Sequence, residues 1–195
     1  RSANMESFRA AGFATSGERM RSYIVVASHP GLPGYLIKTH LDSQKRKKAG
    51  KDSWFWLKQR ARGAAKIARA IKKNKIKNFV VAKKWLYPLP VEPAPPLGPD
   101  YERKNYVLVV EDMYLVSDEE NLIAWKTKIT KEHLEEFYII LKEAKGSSYR
   151  ADNVAYTTSG NFAFIDTEYP DQKPEFHRIT PFLSDEMKAY WNSLR

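Results

Sequence analysis

The stretch that most limits what this chain can fold into runs from Tyr149 to Glu168: Tyr-Arg-Ala-Asp-Asn-Val-Ala-Tyr-Thr-Thr-Ser-Gly-Asn-Phe-Ala-Phe-Ile-Asp-Thr-Glu. It reads as two short strands, 154–156 and 162–165, joined by a turn at Thr158-Ser159-Gly160-Asn161. Asp152 and Asn153 precede the first strand, and Asp166 and Glu168 follow the second. In a hairpin, the residue before the first strand and the residue after the second share the open end. Asn153 and Asp166 are therefore expected to converge. A carboxylate beside an amide oxygen is a natural seat for a hard divalent cation. The competing reading is an ordinary surface hairpin with polar ends.

Composition narrows the chemistry. There are no cysteines, which excludes disulfides, thiolate metal sites and a cysteine nucleophile within this chain. The four histidines, His29, His40, His133 and His177, have no metal-site spacing. No apolar run approaches the ~20 residues of a membrane span, and the first residues lack a secretory apolar stretch. A cytoplasmic or otherwise reducing, soluble compartment is expected. The net charge of +10 is concentrated in residues 45 to 77, which hold 14 Lys/Arg and one acid, Asp52. That segment carries +13, and the remaining 19 basic and 22 acidic residues carry −3.

The hydrophobic pattern gives the other elements. Residues 21–28 and 35–39 read as strands around a turn at His29-Pro30-Gly31-Leu32-Pro33-Gly34, with Lys38 near the end of the second. A helix is predicted over 53–73, capped by Asp52 or Ser53. Its apolar face is drawn through Trp54, Leu57, Ala61, Ala64, Ala68 and Ile71, and its basic face through Lys58, Arg62, Lys66, Arg69, Lys72 and Lys73. Residues 79–82 read as a short strand, and 106–111 as a fully buried one. Residues 91–99 are Pro-rich and are expected to be an extended loop. Two further helices are predicted, one after Thr130 that stops at Gly146 and one from about Ser184.

The order is hairpin, helix, strand, buried strand, helix, polar loop, hairpin and acidic motif. In that order and in the residues it carries, the chain resembles the protein-kinase-like superfamily. Tyr35-Leu36-Ile37-Lys38 is similar to the strand whose lysine meets the ATP phosphates. Val107-Leu108-Val109-Val110-Glu111-Asp112-Met113 looks like the strand into the hinge, with the Glu111 carbonyl and the Met113 N–H toward adenine. Asn153 resembles the catalytic-loop asparagine, and Ile165-Asp166-Thr167 the metal-binding aspartate motif. Glu168 is similar to the glutamate that closes this motif in small-molecule kinase relatives. The resemblance implies an α+β, two-lobed protein-kinase-like fold. An antiparallel-sheet N-lobe with the basic helix would span 1–112. A truncated, mostly helical C-lobe would span 113–195, with the catalytic-loop-like hairpin at 149–168.

It also implies ATP and Mg²⁺ as cofactors. Lys38 would neutralise phosphate, Asn153, Asp166 and Glu168 would hold the metal, and Gly12 and Gly17 would border a loop over the phosphates. The chain departs from the pattern at the base: five residues before Asn153 stands Ser148, and Asp152 is the only nearby carboxylate. The glutamate expected to pair with Lys38 is missing from the helix, where Asp52 and Gln59 are the candidates. The expected function is an atypical, catalytically impaired kinase-like phosphotransferase. The alternative is a non-catalytic pseudokinase or binding module whose basic helix engages an anionic partner: an inositol phosphate, a phosphoinositide, nucleic acid or an acidic protein.

Overall fold

A computed structural model describes residues 5–15, 24–40, 50–90, 104–146 and 149–195. Gly17, Lys45–Lys48, Ser148 and the Pro-rich 91–99 lie outside these residues. The fold is α+β. The chain divides into two compact units, Arg1–Lys58 with Lys84–Asp112, and Gln59–Lys83 with Met113–Arg195.

The first unit is built on one antiparallel sheet in the order β1-β2-β3-β6-β5. Its strands are β1 (Ala14–Thr15), β2 (Ile24–Ser28), β3 (Tyr35–His40), β5 (Lys84–Pro88) and β6 (Tyr106–Glu111). Alternation sorts the side chains by face. Val25, Ala27, Ile37 and Val107 share a small core with Phe8 of helix α1 (Met5–Ala10). Val26, Lys38 and Leu108 stand opposite one another on the other face. Residues 84–88 carried no clear strand signal, since Lys84, Pro88 and the exposed Tyr87 obscure the alternation. Pairing with the buried β6 makes them a strand.

Helix α2 (Ser53–Asn74) starts where Asp52 Oδ1 accepts the Phe55 N–H at 2.8 Å, so Asp52 is the cap. Its buried stripe differs from the predicted one. Leu57, Arg60, Ala64, Ile67 and Ala70 are buried, Ala68 is exposed, and Ala61 is only partly buried. Alanines lie on every side of this helix and give the pattern little contrast, so the larger Ile67 sets the buried side.

In the second unit, β4 (Phe79–Val81) runs parallel to β8 (Phe162–Phe164), which pairs antiparallel with β7 (Val154–Tyr156). β8 is central and wholly buried. The core gathers Phe79, Trp125, Leu134, Phe137, Ile140, Phe162, Phe164 and Trp191. Three helices contribute: α3 (Asp118–Thr127), α4 (Lys131–Ala144) and α5 (Asp185–Ser193). Ser117 and Glu120 close a capping box on α3, and Thr130 and Ser184 cap α4 and α5. Residues 176–182 form a 3-10 helix. Among the described residues, no helix is long and apolar enough to cross a membrane.

Candidate functional site

In the first unit, Lys38 lies mid-sheet, with Val26 and Leu108 as its partners on the flanking strands. It is 9 % exposed, an unusual degree of burial for a lysine. β6, its neighbour, ends at Glu111, and the next residue, Asp112, donates its N–H to Gly34 O at 2.9 Å. Lys38 and Glu111 are therefore carried by two adjacent strands of one sheet. Gly12 (φ 84) closes the turn after α1, its N–H donating to Arg9 O at 3.0 Å. A Cβ there would sit 3.2 Å from His29 Nε2, so the close neighbour of Gly12 is an imidazole.

In the second unit, the hairpin brings the two predicted positions together. Asn153 O accepts the Ile165 N–H at 2.9 Å and lies 3.5 Å from the Asp166 nitrogen. Two buried side chains fix the strand in front of this point. The Asn121 amide donates to Ala151 O at 2.9 Å and accepts the Tyr156 N–H at 2.8 Å. The Trp125 indole donates to Val154 O at 2.8 Å. Asn121 was not singled out from the sequence.

Beyond β8, Asp166 and Glu168 meet a residue that the predicted helix face had passed over. Arg60 of α2 is 4 % exposed. Its Nη1 donates to Asp166 Oδ1, and its Nη2 lies 3.1 Å from Glu168 Oε2. Asp166 Oδ1 also accepts the Glu168 N–H at 3.2 Å. Thr167, between the two acids, turns the other way and donates through Oγ1 to Arg60 O at 2.6 Å. The sequence did hold a signal: Arg60 is three residues after Leu57, four before Ala64 and seven before Ile67, on the buried stripe itself. A charge at such a position needs a buried partner.

The two acids differ in access. The Asp166 side chain is 29 % exposed and that of Glu168 is 7 %. Asp166 is thus the one a ligand could reach, while Glu168 is enclosed with Arg60. The negative charge of Asp166 is also felt by Tyr149. Burial pushes the Tyr149 phenol well above its usual range, and Asp166 adds to the shift. The Tyr149 hydroxyl donates to Lys145 O at 2.9 Å.

The oxygens of Asn153, Asp166 and Glu168 are the donor type a hard cation takes. In this arrangement both carboxylates accept from Arg60, which makes the acidic pair a guanidinium site. Among the described residues, no three His, Asp or Glu side chains are grouped to hold a metal. Asp152 is exposed and pairs with Arg150, Nε to Oδ1 3.2 Å.

The basic face of α2 is partly neutralised within the fold. Asp171 pairs with Arg62 at 2.8 Å and with Lys66, and Lys73 pairs with Glu143 at 3.0 Å. Lys58, Arg69 and Lys72 are exposed. Partial desolvation and the nearby charges of Arg62, Arg69 and Lys145 hold the Lys66 ammonium below its usual range, even with Asp171 beside it.

No protein-family model matches this chain, and no curated protein is significantly similar to it.

Proposed function

We propose that the chain is a protein-kinase-like protein that binds ATP and whose transfer of the γ-phosphoryl group is impaired. The observation that carries this reading is the register of β3 against β6, Lys38 opposite Leu108, with β6 running out to Glu111. A buried lysine beside the strand that would offer the Glu111 carbonyl and the Met113 N–H to adenine is the juxtaposition a nucleotide needs. In this reading Lys38 neutralises phosphate. In the superfamily pattern Asn153, Asp166 and Glu168 would hold Mg²⁺, and in this chain Arg60 engages the acidic pair.

Impairment follows from the base. No histidine or aspartate lies between Gly146 and Ala151, and the carboxylate of Asp152 is turned to Arg150. Positioning and charge stabilisation alone leave only part of the acceleration that a full constellation gives.

The test is a thermal-shift titration with ATP, repeated on Lys38→Ala. A shift in the wild type that the variant loses supports the reading, and no shift at millimolar ATP, with or without Mg²⁺, defeats it. Phosphoryl transfer is read as ADP formed with protein, lipid and inositol phosphate acceptors. Turnover in the ~1–100 s⁻¹ range of active kinases would remove the impairment.

A further inference from the structure

We infer that Arg60 takes the place of a divalent cation at Asp166 and Glu168, so that nucleotide binding by this chain does not require Mg²⁺ or Mn²⁺. The nucleotide part rests on the kinase-like reading, whereas the part about the cation stands on the second unit alone.

Two carboxylates separated by one residue repel each other when ionised, and something positive must hold them together. A bridging metal is one solution. The geometry supplies another: the two terminal nitrogens of one guanidinium each take a different carboxylate. Arginine suits this role because its planar fork spans two acceptors and it stays charged at every relevant pH.

Arg60 is also held from behind. The Thr167 hydroxyl is bonded to the Arg60 carbonyl at 2.6 Å, and Gly63, one turn on, touches the Thr167 carbonyl closely enough to leave no room for a side chain. Helix and acidic loop are clamped at the backbone, and the enclosed Arg60 side chain has little room to swing away. A metal entering here would meet a fixed cation across the same oxygens. Mg²⁺ demands near-octahedral oxygen geometry and keeps several waters. The enclosure of Glu168, 7 % exposed, leaves it no such shell.

The experiment has two arms on the wild-type chain. The first titrates Mn²⁺ without nucleotide and follows the free-ion signal by electron paramagnetic resonance. The expected result is no Mn²⁺ bound at this pair at millimolar concentration. Binding that Asp166→Asn abolishes overturns the inference, and binding that survives Asp166→Asn lies elsewhere and supports it. In Arg60→Met, the freed carboxylates are expected to gain Mn²⁺ affinity, but neither wild-type arm depends on that variant folding.

The second arm compares the affinity for a non-hydrolysable ATP analogue in Mg²⁺ and in excess EDTA. Agreement within about twofold is expected, and affinity at least about tenfold tighter with Mg²⁺ overturns the inference while leaving the kinase-like reading intact. No binding in either condition sinks the nucleotide reading and the nucleotide half of the inference. The Mn²⁺ arm then still decides the role of Arg60.

Discussion

Gly63 of α2 lies against Thr167 so closely that a Cβ on Gly63 would stand 2.2 Å from the Thr167 carbonyl oxygen. No adjustment of a side-chain tip relieves such a contact, because the atom it meets is backbone. Mid-helix glycine normally costs stability, and replacement by alanine should return up to ~1 kcal/mol. Here the sign should invert. Gly63→Ala is expected to cost about 1–3 kcal/mol through forced separation of helix and loop. A urea midpoint that falls with an unchanged slope would show it, and a rise would show that the two backbones are not in contact.

Arg60 is held in place by charge as well as by contact. Arg60→Ala removes the guanidinium that engages both Asp166 and Glu168, one of them enclosed. Losing one side of a buried ionic cluster is expected to cost about 3–5 kcal/mol. Arg60→Met combined with Glu168→Leu removes the enclosed charges together and should cost markedly less than Arg60→Ala alone. Equal losses in the single and double variants, measured by chemical denaturation, would mean that Arg60 contributes by packing and not through its charge.

His133 provides a pH handle on the second unit. Its ring packs edge-on to Phe162 at 5.7 Å and Phe79 at 6.1 Å, with Nδ1 2.7 Å from Thr130 Oγ1. Burial pulls its pKa below the ordinary 6.5, and the charges of Glu136 and Glu132 only partly oppose this. The unfolded chain therefore takes up a proton at His133 before the folded chain does. Stability should be full above about pH 6.5 and fall as the pH drops from there to the lower folded-state value. His133→Gln should flatten that part of the stability profile, as read from melting temperatures between about pH 7 and 5. An unchanged profile would assign the dependence to other groups.

The exposed cations of α2 separate the anionic-partner alternative from the nucleotide reading. Arg62 and Lys66 are occupied by Asp171, whereas Arg69 and Lys72 are exposed. If a polyanion such as heparin binds this helix, neutralising Arg69 and Lys72 should lower the slope of log affinity against log salt by up to about 1.8. Neutralising Arg62 and Lys66 should change it less, because Asp171 already balances part of their charge. Affinity independent of salt would exclude the helix as a polyanion surface.

Local signals carried much of the fold. Alternation and the Thr158–Asn161 turn placed β7 and β8, β-branched residues placed β2 and β3, and polar caps placed α2, α4 and α5. What stayed hidden depends on long-range partners. β5 is a strand because residues 84–88 pair with the buried β6, and although 79–82 read as a strand, nothing in those residues told that β4 would lie parallel to the central β8. At the candidate site, the convergence of Asn153 and Asp166 followed from hairpin geometry alone. Arg60 did not, because the predicted stripe through Ala61 and Ala68 set it aside as one more cation in a basic helix. The charge that balances the acidic pair lies more than 100 residues away along the chain. Only packing reveals that, among the described cations of this segment, Arg60 is a buried one.

Asn121 tests how firmly the polar loop is held. Its single amide satisfies two backbone groups on either side of Asn153: it donates to Ala151 O and accepts from Tyr156 N–H. Asn121→Leu strands both groups in a buried setting, at about 1–3 kcal/mol each. Asn121→Asp separates them. An ionised carboxylate keeps the acceptor for Tyr156 but points a second lone pair at the Ala151 carbonyl, so the loop side should loosen while β7 stays paired. Amide hydrogen exchange can resolve the two. In Asn121→Asp, the Asn153 N–H, bonded to Arg150 O at 2.9 Å, should lose protection while the Tyr156 N–H keeps it. Loss at both positions in Asn121→Asp would mean that the amide braces the hairpin as one piece, and that Asn153 has no independent anchor.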